Sequence, residues 1–138
     1  MARQALKIEK PLYGYSKIIN KLKIEEYQFD NLISLAIPLS SERKCRLNFK
    51  KSLGASMPDI EKSIITKSGV LGFRIGLDSL FVCSSTNFSF SRKTVPLLKQ
   101  AFYITDQTGG WCGIRVEGEK VIEMLERICP LNLSIKVF

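Results

Sequence analysis

A chain of 138 residues, 45% of them apolar, suffices for one compact domain or two small ones sharing a core, and none of its apolar runs approaches the ~20 residues that span a bilayer. It contains no histidine, which excludes the usual Ser–His and Cys–His nucleophile pairs and most catalytic zinc sites. Its 21 Lys and Arg against 13 Asp and Glu leave a net charge of +8, which suits an acidic protein, an anionic lipid or nucleic acid as partner.

Residues 1–26 read as a basic N-terminal arm carrying Arg3, Lys7, Lys10, Lys17, Lys21 and Lys23. Pro11 and Gly14 make its first half irregular, and Ser16 to Lys23 is expected to form about two helical turns. It lacks the continuous hydrophobic region of a signal peptide, so a cytoplasmic location is expected.

Residues 27–138 read as a single α+β domain. Phe29 to Leu39 is a nearly continuous apolar strand, ended by Pro38. Ser40 or Ser41 then caps a helix to about Leu53, with Gly54 just beyond its end. Cys45, Phe49 and Leu53 recur at four-residue steps and make its buried stripe. Arg43, Lys44, Arg46, Lys50 and Lys51 fill the remaining face, which is either solvated or set against a partner.

Ser63 to Thr66 is expected to be a short strand, and Val70 to Ser84 a hairpin turning at Gly76-Leu77-Asp78-Ser79. A polar stretch from Ser84 to Arg92, holding Phe88 and Phe90, leads to a helix over 94–102 with Pro96 in its first turn. Tyr103 to Asp106 and Trp111 to Glu117 are strands around a turn at Gln107 to Gly110. The last helix places Val121, Ile122, Leu125, Ile128 and Cys129 on one face and stops at Pro130. Leu131 to Phe138 follows as a strand. The order indicates a mainly antiparallel sheet with helices, nearest to a ferredoxin-like split arrangement.

Little in this pattern carries chemistry. Gly69, Gly72 and Gly76 are too widely spaced for a phosphate-cradling loop. Asp78 and Asp106 sit in turn contexts, where Asp supplies turn geometry rather than catalysis. Cys45, Cys83, Cys112 and Cys129 stand singly without a CxxC pair, which favours buried thiols over disulfides. No catalytic, cofactor-binding or metal-ligating residue is assigned. The alternative is a small basic nucleic-acid-binding module, with the arm and the Arg43 to Lys51 face on phosphates. Against it, no aromatics are interleaved with those charges and no recognition helix is visible.

The C-terminal third adds a resemblance. Asp106-Gln107-Thr108-Gly109-Gly110-Trp111, Ile114 to Lys120, the helix from Val121, and Cys129-Pro130-Leu131-Asn132-Leu133 resemble the gamma subunit of heterotetrameric sarcosine oxidase. The Gly72 to Val82 hairpin looks like the corresponding family hairpin, with Leu77 in place of its Pro and Ser79-Leu80 in place of Glu-Trp. Leu35 to Leu39 and Leu53 to Pro58 fit the preceding strand and helix-to-Pro loop, so the resemblance runs over residues 28–138.

The resemblance implies an aminomethyltransferase-like fold, here shortened at its C-terminus because family members continue with more strands and a final helix. It implies a non-catalytic subunit assembled with alpha, beta and delta subunits that oxidise sarcosine to glycine. FAD, FMN, NAD, zinc and tetrahydrofolate would belong to those partners, with no cofactor in this chain. A folate-dependent methyltransferase in its own right is disfavoured by the short length. The contact residues expected at partner interfaces are Arg43, Arg46, Lys50, Arg74, Asp78, Trp111, Leu131 and Leu133.

Overall fold

The computed structural model describes residues 9–84 and 94–130. In chain order these hold β1 (Ser16–Ile19), β2 (Leu22–Tyr27), β3 (Asn31–Ala36), α1 (Glu42–Leu53), β4 (Ser63–Ile65), β5 (Leu71–Arg74), β6 (Ser79–Ser84), α2 (Thr94–Lys99), β7 (Tyr103–Asp106), β8 (Gly113–Glu117) and α3 (Val121–Glu126). Every strand pairing is antiparallel, in one sheet of order β1-β2-β8 and another of order β4-β5-β6-β3-β7. The protein is α+β.

The chain divides into two compact units. Among the described residues one comprises 9–28 with 109–130 and the other 29–84 with 94–108. From the sequence, 1–26 is expected to be an arm and 27–138 one domain. In the structure, residues 16–27 are instead two strands of a sheet completed by β8.

The smaller unit corrects the helix expected over Ser16 to Lys23. Leu22 and Ile24 alternate with Lys23 and Glu25, which is strand periodicity rather than helical. Asn20 and Lys21 both have positive φ, 49° and 66°, as a two-residue hairpin turn of the primed type requires. Register then sorts the sheet. Leu22 lies opposite Ile19, and Ile24 lies opposite both Lys17 and Val116, giving one mostly apolar face. Lys23, Glu25, Arg115 and Glu117 share the other face. The Glu26 carboxylate accepts hydrogen bonds from the amides of Leu12 (3.2 Å) and Gly14 (2.6 Å), tying the preceding turn to β2.

Helix α3 is shorter than its apolar stripe suggests. It ends at Glu126, and the backbone then tightens as Ile128 N–H donates to Leu125 O (3.1 Å). Val121, Leu125 and Cys129 are half-buried, whereas Ile122 and Ile128 are exposed. The expected single buried face is therefore only partly buried.

The larger unit shows why β3 reads as a nearly continuous apolar run. It is central in its sheet, with Ile33 and Leu35 facing the helices and Leu32 packing with Phe81 and Cys83 on the opposite face. Helix α1 connects β3 to β4 and β5, and β6 lies between β3 and β5, which is the split arrangement anticipated from the element order. Cys45, Phe49 and Leu53 are the buried residues of α1, as the four-residue spacing indicates. They join Met57, Val70, Leu80, Val82, Leu98, Ala101 and Phe102 in the main core. Gly54 closes α1 in the left-handed conformation, its amide donating to Lys50 O. Ser41 stands at the N-cap but makes no side-chain cap bond; its hydroxyl donates to Leu39 O instead.

Helix α2 ends at Lys99, before the anticipated Phe102, although the Phe102 amide still donates to Leu98 O (2.9 Å). The stretch with Phe88 and Phe90, and the strand expected from Leu131 to Phe138, lie outside the described residues.

The cysteines divide by environment. Cys45 and Cys83 are buried, Cys129 is half-buried and Cys112 is exposed, so the buried-thiol expectation fails for Cys112. Burial pushes the Cys83 thiol up to about 11 and raises Cys45 as well. Because the thiolate is the reactive form, native protein at neutral pH should be alkylated first at Cys112, with Cys45 and Cys83 protected until unfolding. Mass spectrometry of iodoacetamide-treated protein checks this; early labelling of Cys83 contradicts it.

Candidate interaction surfaces

Helix α1 sorts its polar side chains into two groups. On one side the Glu42 carboxylate accepts from Arg46 (2.9 Å) and from Arg74 of β5 (3.0 Å), and Arg46 also reaches Asp59 (3.0 Å). Arg74 is 3% exposed. Its Nε donates to Gly76 O (3.0 Å) and its remaining nitrogen to Leu77 O, so one guanidinium holds the β5–β6 turn and the start of α1 together. Arg74, anticipated as a partner contact, therefore serves the interior. Arg46 is half-buried and already engaged with two carboxylates.

These contacts hold Glu42 below its ordinary value of 4.5, the Arg74 hydrogen bond first and the Arg46 bond second. A carboxylate with a lowered folded-state value favours folding wherever it is ionised. Its contribution is complete above pH 4.5 and is lost as pH falls through the lowered value. Arg74→Ala should cost on the order of 3 kcal/mol, since it removes a buried charged donor from three acceptors. It should also flatten the fall in stability below pH 4.5. Urea midpoints across acidic pH, compared between wild type and variant, test both effects.

On the other side of α1, Arg43, Lys44, Lys50 and Lys51 are exposed, as is Leu47. Asp78 is also exposed; its backbone carbonyl accepts from the Ile37 amide (2.7 Å), extending the β3–β6 ladder, which is a turn role. Asp106 likewise organises its turn, accepting from the Thr108 amide (2.9 Å) and hydroxyl (2.7 Å). Those two bonds hold its carboxyl below the ordinary aspartate range. Trp111 is 55% exposed in the smaller unit. Leu131 and Leu133 lie outside the described residues.

Within the smaller unit an open groove of about 510 Å³ runs between the β1–β2 turn and α3, lined among others by Lys21, Leu22, Glu119, Lys120 and Met124. Its charges alternate in sign, and Arg127 on its rim is paired with Glu123 at 2.7 Å. This groove was not anticipated, because it depends on β2 being a strand. Among the described residues no group of three or more Cys, Asp or Glu side chains is placed to hold a metal ion. No helix among them is long and apolar enough to cross a membrane.

Compared with known proteins, this backbone is similar to a chain of the heterotetrameric sarcosine oxidase from Corynebacterium sp. U-96, solved in complex with pyrrole 2-carboxylate. The TM-score is 0.68 at 17% sequence identity, over 87% of this chain and 63% of that one. The likeness is one of fold. This chain thus spans under two-thirds of the length of the chain it matches. No family model matches the sequence, and no curated protein matches it.

Proposed function

We propose that the chain is a non-catalytic subunit of a sarcosine oxidase-like complex, in the position of the gamma subunit, whose assembly oxidises sarcosine or a related N-methyl amine. One observation carries the reading: a chain of such a heterotetramer shares this fold over 87% of the present sequence. The residue resemblance along 28–138 points to the same kind of assembly. In this reading the partners are alpha, beta and delta subunits, and FAD, FMN, NAD, zinc and tetrahydrofolate reside on them. The chain supplies architecture, and the complex is cytoplasmic.

Affinity purification of the tagged full chain from its native cell tests the proposal. Flavin-containing subunits recovered in a fixed ratio, and retained at high salt, are the expected result. Recovery of nucleic acid that washes off with salt, with no flavoprotein, overturns it in favour of a basic nucleic-acid-binding module.

A further inference from the structure

Leu47 is 55% exposed on a helix whose other large apolar residues, Phe49 and Leu53, are buried. Its helical neighbours at i−4, i−3, i+3 and i+4 are Arg43, Lys44, Lys50 and Lys51, all exposed. Residues at those spacings surround one another on a helix surface, so the apolar side chain stands inside a ring of four cations. None of the four forms a salt bridge among the described residues. The acid nearest on the helix, Glu42, is committed to Arg46 and Arg74.

We propose that this face of α1 docks an acidic protein surface that offers an apolar pocket to Leu47 and carboxylates to the surrounding cations. An apolar centre with a charged rim is the general anatomy of a protein–protein contact. The four positive charges, which form no salt bridge among the described residues, specify the opposite sign on the partner. A nucleic acid is a poorer fit: phosphates would meet the cations, but Leu47 at the centre would lose water without gaining a partner. The acidic surface is assigned to a subunit of the proposed complex, and to that extent the inference rests on the proposed function.

The test uses the tagged full chain purified from its native cell as wild type, Leu47→Gln, Arg43→Glu/Lys50→Glu, and a control, Lys10→Glu/Lys67→Glu, that reverses two exposed charges elsewhere. All three changes in the α1 variants fall on exposed side chains, and an unchanged urea midpoint confirms folding. Both α1 variants should hold the partner subunits about tenfold more weakly, with the control close to wild type. Partner subunits retained by both α1 variants overturn the docking inference and leave the subunit reading standing. Binding lost in the charge reversal but kept in Leu47→Gln overturns it in favour of a purely electrostatic contact, nucleic acid included. Wild type that recovers no protein partner removes both readings together.

Discussion

Phe49→Ala should lower the stability of the larger unit by about 4 kcal/mol, the usual cost of emptying an aromatic site in a core. Phe49 has no exposed surface and lies at the centre of the main cluster, between α1 and the sheet. The sheet below it is shaped to receive it. A Cβ built on Gly72 of β5 would stand 3.3 Å from the tip of the Phe49 ring and 3.4 Å from Ile64, so the ring occupies space that the glycine leaves open. Truncation therefore leaves a cavity whose walls are strand backbone and fixed core side chains, with little freedom to collapse. Against a total of roughly 5–15 kcal/mol for a domain, that is between about a quarter and four-fifths of the margin. The urea midpoint followed by circular dichroism is the measurement. A loss below about 1.5 kcal/mol would mean that the core repacks around the void, contrary to this account.

Gly118→Ala should have a comparable effect on the smaller unit, on the order of 3 kcal/mol. Gly118 has φ +143°, a conformation that side-chain-bearing residues rarely adopt. A Cβ there would stand 2.6 Å from the Lys21 carbonyl oxygen and 2.9 Å from a Leu22 methyl. The first obstacle is backbone in the β1–β2 turn, so strain and collision act together. The only tryptophan, Trp111, belongs to this unit, and its fluorescence during urea unfolding reports the change. A fluorescence midpoint unaltered by the substitution would show that the turn yields.

Much of the larger unit is legible in the sequence because its signals are local and agree with one another. The four-residue recurrence of Cys45, Phe49 and Leu53, the Gly54 stop and the nearly continuous apolar run of β3 each imply one structure, and the burial pattern matches. The hairpin over β5 and β6 was legible for the same reason: turn residues stand between two apolar limbs. The smaller unit was harder to read. The alternation of Leu22 and Ile24 with Lys23 and Glu25 is short and lysine-rich, and its turn, Asn20-Lys21, lacks the usual glycine. Asn20 between Ile18-Ile19 and the alternating Leu22 and Ile24 was the available signal.

The sequence by itself determined the α+β class, the core face of α1 and the lack of histidine chemistry, since composition and period act through nearest neighbours along the chain. Only the tertiary structure decided where distant segments meet. It joined the β1–β2 hairpin to β8 through β2, because strand pairing needs a hydrogen-bonding edge that no local pattern names. It drew Arg74 inward to Glu42, because the β5–β6 turn aims two carbonyls and α1 aims a carboxylate at the same point. With Arg74 and Arg46 thus engaged, the cations around Leu47 are left facing outward.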